Sequence, residues 1–154
     1  MAAVTVIDDQ GAAHAAEPAA PYVLEEQVGF ILRQASQRHA TLFAARLGDL
    51  TPTQWAALAK LSEIGPTSQN RLGRMTAMDV ATIKGVVDRL MKRGLVRSRM
   101  DDADARRRLL ELSDEGRAYV AANLDMARRI TAETLAPLGQ KERATFVALL
   151  EKLR

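Results

Sequence analysis

Apolar residues along most of the chain recur at helical spacing, which predicts a mainly α-helical protein. Between Tyr22 and Leu47 they recur every three or four residues, as in a long amphipathic helix, and Gly48 can end that helix. The same spacing predicts a long helix from Ser113 toward Leu135 and a last helix from Gln140 to Leu153. Residues 1–21 are rich in alanine and show no periodicity, so we expect a disordered tail.

The middle of the chain predicts three short helices. Residues 51–54 (Thr-Pro-Thr-Gln) carry the reciprocal capping pattern, which starts a helix that reaches about residue 63. Gly65-Pro66 ends that helix, and Thr67 or Ser68 can cap a short helix that reaches about Met75. A further helix is expected to begin near Asp79 and to stop at Gly94. Short helices joined by a tight link indicate a helix-turn-helix.

The helix after Asp79 is predicted to be amphipathic, and a β-hairpin is predicted to follow it. Its apolar stripe, expected to face the core, consists of Val80, Ile83, Val86, Val87, Leu90 and Met91. Its outward positions are Thr82, Lys84, Gly85, Asp88, Arg89 and Lys92. Strand-like runs at 95–99 and 108–112 flank a charged segment at 101–107. The predicted fold class is therefore mainly α with a small β-hairpin wing after the helix-turn-helix.

Positive charge is concentrated in the predicted helix-turn-helix and hairpin. The whole chain of 154 residues has a net charge of +3, whereas residues 68–108 hold eleven Lys or Arg and five Asp, a net charge of +6. This clustering favours a polyanionic partner, above all double-stranded DNA. An ordinary solvated basic face would carry the same charges. A non-specific architectural or RNA-binding protein, or a protein-interaction module, therefore stays open.

Three groups of residues are candidates for DNA contacts. Major-groove readout from the last short helix is expected of Asp79, Thr82 and Lys84, with Arg89 on the same outward face. Phosphate contacts at the start of the preceding helix are expected of Ser68, Gln69, Asn70, Arg71 and Arg74. The hairpin cations, which can enter a narrow minor groove, are Arg97, Arg99, Arg106, Arg107 and Arg108. Asp104 could hold the Arg106 guanidinium in a bidentate pair. Taken alone, the pattern would favour an exposed pair of little energetic worth, and the helix-turn-helix before it shifts the balance toward the first interpretation.

The segment from Gly94 to Gly116 resembles the wing of the MarR family of bacterial winged helix-turn-helix regulators, and the resemblance extends from about Glu25 to Leu153. The matching wing positions are Asp101, Asp104, Arg106, Leu110, Leu112 and Gly116. Ala105 stands where the family often has its first wing arginine. Gly85 stands where an arginine often faces DNA, and Lys84 is the candidate to compensate for it.

The resemblance implies a homodimer that binds a pseudo-palindromic operator and usually represses transcription. The parts implied are dimerisation helices at 22–48 and 114–154 and a DNA-binding part at 51–112, all within one domain over 22–154. The apolar surface of the end helices agrees with association of two chains. In many members of the family a small aromatic or phenolic acid lowers DNA affinity. Residues 50–58 and 88–90 also resemble regulators of aromatic-acid or nicotinate catabolism.

A pocket for an aromatic carboxylate needs a cation or donor against an apolar wall. His39 interrupts the apolar stripe of the first helix beside Arg38 and within reach of Trp55, so these three residues are the candidate effector site. A core or interface histidine and a core tryptophan would give the same pattern. Arg128 and Arg129 are a further candidate anion site, or part of a solvated helix face.

Other function classes find little support in the sequence. The chain has no cysteine and two histidines, and it lacks a phosphate-binding glycine loop and a His-Glu-x-x-His helix, so we expect neither an enzyme nor a cofactor. Arginines beside Asp101, Asp102 and Asp104 argue against a metal site. No long apolar segment or secretory signal is evident, so a soluble cytoplasmic protein is expected.

Overall fold

The computed structural model describes residues 5–7, 13–15, 21–104 and 106–153, and the chain divides into two compact units, Met1–Ala35 and Ser36–Arg154. In the first unit, β1 (Thr5–Ile7) and β2 (Ala13–Ala15) pair antiparallel, which the sequence did not indicate. The remaining residues of the expected disordered tail, except residue 21, lie outside the described residues.

A 3-10 turn at Leu24–Glu26 precedes α1 (Val28–Leu47), whose residues belong to both units. The prediction that this helix begins at Tyr22 is wrong. Gln27 has an extended backbone, with φ −79° and ψ 129°, and this conformation separates the turn from the helix.

The three short helices predicted in the middle of the chain are confirmed. They are α2 (Pro52–Ile64), α3 (Gln69–Met75) and α4 (Val80–Lys92). Each begins at a side chain that accepts a backbone N–H three residues on, namely Thr51, Ser68 and Asp79. At Thr51 the capping is reciprocal, because Gln54 Oε1 also accepts the Thr51 N–H at 2.9 Å. The sequence therefore specifies locally where each helix begins.

The predicted hairpin is also confirmed. Strands β3 (Val96–Met100) and β4 (Arg108–Leu112) pair antiparallel, and Val96 lies opposite Leu112. Gly94, with φ +72°, lets the chain leave α4 and enter β3. On its other edge β4 bonds to the residue before the α3 cap, since Thr67 and Leu110 exchange two backbone hydrogen bonds of 3.0 and 2.8 Å.

Two further helices complete the second unit, α5 (Asp114–Thr134) and α6 (Gln140–Glu151). Ser113 caps α5 by accepting the Gly116 N–H at 2.9 Å, and its backbone N–H donates to the Leu95 carbonyl at 3.1 Å. Gly116 packs directly on the Leu95 backbone, so that a Cβ added there would meet the carbonyl carbon at 3.0 Å. The start of α5 is thus fixed against the start of the hairpin.

The core lies where α2, α4, the hairpin and α5 meet. Its buried apolar residues are Phe43, Leu47, Leu50, Ala57, Leu58, Leu61, Leu72, Ile83, Val86, Val87, Leu90, Leu95, Val96, Leu110, Leu112, Val120 and Ile130. The predicted stripe of α4 is correct in its middle but wrong at its ends, where Val80 is 71% and Met91 41% exposed. Among the described residues, no helix is long and apolar enough to span a membrane.

Candidate nucleic-acid interface and ligand cavity

The first turn of α4 is held by Asp79 and Thr82, two of the predicted base-reading residues. Asp79 accepts hydrogen bonds from the backbone N–H and from the hydroxyl of Thr82, both at 2.8 Å. These bonds, the backbone one foremost, lower the pKa of the Asp79 carboxyl. Both carboxylate oxygens have partners within the chain, so the structure gives Asp79 the role of a helix cap. Base readout by Asp79 and Thr82 stays a prediction.

The outward face of α4 offers two cations. The Lys84 side chain is 70% exposed, and its distance of 3.7 Å from Asp88 makes a surface ion pair of the kind that contributes little. A Cβ on Gly85 would lie 3.7 Å from Nη1 of Arg89, so the exposed Arg89 guanidinium reaches over the space that Gly85 leaves open. Arg89 therefore places a guanidinium beside position 85, where the family resemblance led us to expect an arginine, and compensation by Lys84 stays a prediction.

The start of α3 presents the residues predicted to contact phosphate. Asn70, Arg71 and Arg74 are exposed, whereas Ser68 and Gln69 are half-buried. The Ser68 hydroxyl accepts the backbone N–H of Arg71 at 3.4 Å and serves as the cap. Neither Arg71 nor Arg74 forms an ion pair within the described part of the chain, so both guanidinium groups are available to an anion.

The hairpin holds a carboxylate between two of its predicted DNA-binding arginines. Arg97 Nε donates to Glu111 Oε1 at 2.7 Å, and Arg99 Nε donates to Oε2 at 3.1 Å. The hydrogen bond from Arg97 is the largest influence on the pKa of Glu111, and with the bond from Arg99 it lowers that pKa against the opposing effect of desolvation. Arg99 also pairs with Asp102 at 3.0 Å. Arg97 and Arg99 are therefore partly neutralised within the hairpin.

Sequence reasoning missed Glu111, although the strand pattern contained a signal for it. Arg97 and Arg99 are two residues apart and so share one face of β3. Glu111 stands opposite Arg97 in the register, so it faces the same side from β4. A carboxylate at that position is the natural cross-strand partner for both arginines.

At the hairpin tip the predicted bidentate pair between Asp104 and the Arg106 guanidinium is wrong. Asp104 Oδ1 instead accepts the backbone N–H of Arg106 at 3.0 Å, because a short carboxylate readily bonds the main chain two residues on. Arg107 lies 3.8 Å from Asp101. Arg106 is exposed and has no ion-pair partner among the described residues, while Ala105 lies outside them. Arg106 is thus the available cation of the tip.

A cavity of about 430 Å³ lies between α1, α2 and α5. It is lined by His39, Phe43, Pro52, Trp55, Ala56, Ala59, Leu124, Ala127, Arg128, Ile130 and Thr131. His39 and Trp55, predicted together from the sequence, meet here, and Arg128 joins them from the second predicted anion site. Arg128 also pairs with Asp125 at 2.7 Å, and both side chains are largely exposed. An apolar wall with one cation and one imidazole suits a small aromatic acid.

Arg38, the third predicted effector residue, does not line this cavity. Its guanidinium donates to the carbonyl oxygens of Glu133 and Thr134 at 3.4 and 3.5 Å, the end of α5 where the helix dipole is negative. His39 Nδ1 lies 3.0 Å from Thr134 Oγ1, whose hydroxyl donates to the Ile130 carbonyl. In the tautomer that carries its proton on Nδ1, His39 donates to Thr134 and its Nε2 is free to accept a hydrogen bond.

Asp49, in the link between α1 and α2, joins that link to α5 and to the end of α4. Tyr119 Oη donates to Oδ1 of Asp49 at 2.7 Å, and Arg93 Nη2 donates to Oδ2 at 2.8 Å. Desolvation is the largest influence on the pKa of Asp49 and raises it, but the bonds from Tyr119 and Arg93, the charge of Arg93 and a backbone hydrogen bond together lower that pKa below its ordinary value. Burial, followed by the bond to Asp49, raises the pKa of Tyr119 to about 12. The cluster connects the helices that form the cavity with the end of α4.

Comparison with known proteins identifies relatives of this chain by sequence. The model of the MarR family matches residues 50–107. The HTH-type transcriptional repressor NicR of Pseudomonas putida is 40% identical over 135 residues, which cover 86% of this chain and 85% of NicR.

Two solved structures extend the likeness to the fold. A probable transcriptional regulator from Pseudomonas aeruginosa is 56% identical with a TM-score of 0.83, and the match covers 86% of this chain and 100% of that one. BpsR of Bordetella bronchiseptica, solved to explain how 6-hydroxynicotinic acid regulates its DNA binding, is 39% identical with a TM-score of 0.82. That match covers 87% of this chain and 97% of BpsR.

Proposed function

This chain belongs to the MarR family of winged helix-turn-helix transcriptional regulators, and we propose that it is a homodimeric repressor that binds a specific operator in duplex DNA and leaves it when a small aromatic acid binds. The observation that carries the DNA-binding part is the cationic surface of α3, α4 and the hairpin. Its available cations are Arg71, Arg74, Lys84, Arg89 and Arg106. We place the protein in the bacterial cytoplasm, on the nucleoid while it is bound.

The cations and polar groups divide by role. Asn70, Arg71 and Arg74 at the start of α3 bind phosphate oxygens and set the position of the protein on the duplex. Lys84 and Arg89 project from α4 toward base edges in the major groove. Arg106 reaches from the hairpin tip into the adjacent minor groove, where narrow A·T-rich tracts attract a guanidinium.

Arg106→Ala tests this proposal. One contact of this kind contributes about 1–3 kcal/mol, so affinity should fall roughly 5- to 150-fold for each half-site of the operator, and the slope of log K against log salt should drop by about 1 for each subunit. Arg129→Ala is the matched control, because Arg129 is an exposed arginine of α5 without an ion-pair partner among the described residues. It makes the same charge change and should leave the slope near that of the wild type.

Fluorescence anisotropy with a labelled promoter duplex, over a range of salt concentrations, measures both quantities. A random-sequence duplex serves as competitor. If the two variants lose affinity equally, or if promoter and random duplex compete equally, the protein is a non-specific nucleic-acid binder instead.

Two chains are proposed to associate through the end helices. In α1, Val28, Ile31 and Leu32 are between 40 and 67% exposed. In α6, Leu149 is 54% exposed, and Leu153 just after the helix is 73% exposed. Apolar surface of this kind on both ends of the chain favours a partner subunit. Analytical ultracentrifugation should give a dimer at micromolar concentration, and a monomer there would contradict the proposal.

The effector is proposed to be a pyridine or benzene carboxylate bound in the cavity. Trp55 and Phe43 can stack against its ring, Arg128 can bind its carboxylate, and Nε2 of His39 can bond to a ring hydroxyl. Asp125 is paired with Arg128, but this ion pair is exposed and weak. The carboxylate of an effector can therefore replace Asp125 as the partner of Arg128. The regulation of BpsR by 6-hydroxynicotinic acid supports this choice of chemical class.

Trp55 is the single tryptophan of the chain, so its fluorescence reports directly on the cavity. Titration with 6-hydroxynicotinic acid, nicotinic acid and benzoic acid should quench it in a saturable way for at least one of them, and the same acid should weaken operator binding. Arg128→Gln should weaken the quenching at least about tenfold, since a charged hydrogen bond contributes about 1.5–3 kcal/mol, whereas Arg129→Gln should not. No quenching by any acid would end the effector proposal and leave the DNA-binding proposal standing.

A further inference from the structure

Among the large apolar residues in the helices and strands of the second unit, Val80 is the most exposed, with 71% of its surface open to solvent. It is the first residue of α4, directly after the Asp79 cap. The middle of the same helix buries Ile83 and Val86 almost completely. The exposure is therefore a local feature of the helix start, where the core ends.

The surroundings of Val80 are the polar groups proposed to contact DNA. Val80 and Lys84 are four residues apart and so lie on the same side of α4. Val80 also borders a hollow of about 260 Å³ between α3 and the start of α4, which Asn70 and Arg74 line from the α3 side. An apolar side chain thus borders the same hollow as the α3 residues assigned to phosphate and shares a side of α4 with the lysine assigned to bases.

We propose that Val80 is a specificity-determining residue that packs against the C5-methyl group of a thymine in each half of the operator. The first residues of a helix seated in the major groove are the ones that reach base edges. Among the groups that base pairs present there, the thymine methyl is the apolar one, and small apolar side chains pack against it. This inference rests on the proposed function, since it requires α4 to lie in the major groove.

The size of the effect follows from the area of one methyl group. Burial of one such group contributes about 0.8 kcal/mol, which is about a fourfold change in affinity for each half-site. The contact carries no charge, so its loss should leave the salt dependence of binding unchanged. That separates it from the loss of a contact to phosphate.

Replacement of single thymines by deoxyuridine tests the proposal, because it removes the methyl group and keeps the base pair. The operator is first selected from a random duplex pool with the wild-type protein. At one position in each half-site, deoxyuridine should weaken wild-type binding about fourfold. Val80→Ala should bind the thymine and deoxyuridine duplexes with nearly equal affinity at that position, because the shortened side chain loses the two methyl groups that reach the thymine. Met91→Ala, an exposed apolar residue at the other end of α4, is the matched control and should discriminate like the wild type.

Each result decides one proposal or both. If Val80→Ala still discriminates thymine from deoxyuridine fourfold, or if no position is sensitive to the methyl group in the wild type, Val80 does not read thymine, while the operator itself still supports the proposed function. If selection enriches no sequence, both proposals fail. Circular dichroism of Val80→Ala should match the wild type, since the altered side chain lies outside the core.

Discussion

Replacement of Gly116 by alanine should destabilise the protein because α5 and the hairpin have no room for a side chain there. An added Cβ would lie 3.0 Å from the Leu95 carbonyl carbon and 3.3 Å from its Cα, and closer still to the carbonyl oxygen. Carbon atoms in contact prefer about 3.5–4.0 Å, so the Leu95 backbone must move by about half an ångström or more. The same carbonyl accepts the Ser113 N–H at 3.1 Å, and this bond would weaken with the movement.

The energetic terms can be compared directly. Overpacking of this kind costs about 1–3 kcal/mol, and a weakened hydrogen bond adds about 0.5–1.5 kcal/mol. Alanine in a helix recovers at most about 1 kcal/mol relative to glycine. The net loss is about 2 kcal/mol, which for a chain of this length lowers the melting temperature by about 4–8 °C.

Thermal unfolding followed by circular dichroism at one fixed protein concentration measures the change, since the melting point of a dimer depends on concentration. Gly85→Ala is the control, because its added Cβ would have only an ordinary contact, 3.7 Å from Arg89 Nη1. It should melt at the wild-type temperature or a few degrees above it. If Gly116→Ala melts with the wild type as well, the close approach of Leu95 to Gly116 does not constrain the fold.

Three further substitutions give distinct expectations. Thr67→Val removes a buried hydroxyl that has no hydrogen-bond partner among the described residues, so its melting temperature should equal or exceed the wild type, whereas Thr67→Ser should melt lower. The pKa of Glu111 is lowered from its ordinary value of 4.5, so its ion pairs stabilise the fold above that pH and lose this effect as the pH falls. The stability difference between wild type and Glu111→Gln in urea unfolding should therefore shrink from pH 7 to pH 3, and a constant difference would exclude the role of Glu111. Asp79→Ala should cost about 1 kcal/mol through loss of the cap, and Asp79→Ser should restore it. Equal melting of these two variants would contradict the capping role.

Helix positions could be predicted well because the signals that start these helices are local. Thr51, Asp79 and Ser113 each bond a backbone N–H three residues away, so a short window of sequence contains both partners. The helix-turn-helix and the hairpin follow from these starts and from the glycine at position 94. The ends of the apolar stripe in α4 were the exception, since periodicity alone does not tell where the core stops covering a helix.

Two contacts that the sequence did not reveal join residues far apart along the chain. Arg38 was expected in the effector site but bonds the end of α5, 95 and 96 residues away. Tyr119 and Asp49 are 70 residues apart. Such pairs depend on how the helices pack, which residue spacing does not encode. The proximity of His39 and Trp55 could be predicted only because both residues belong to the apolar faces of helices that are neighbours in the sequence.

The pair of backbone hydrogen bonds between Thr67 and Leu110 has a consequence for how such a regulator can diverge. These bonds connect β4, the second strand of the hairpin, to Thr67, the residue before the α3 cap, and neither bond uses a side chain. The separation of the hairpin and α3, two of the elements proposed to contact DNA, is therefore set by main-chain atoms that every amino acid except proline supplies. Side chains on the surface proposed to contact DNA can consequently change during evolution and give new target sequences. The spacing between the hairpin and α3 would stay the same, because it does not depend on those side chains.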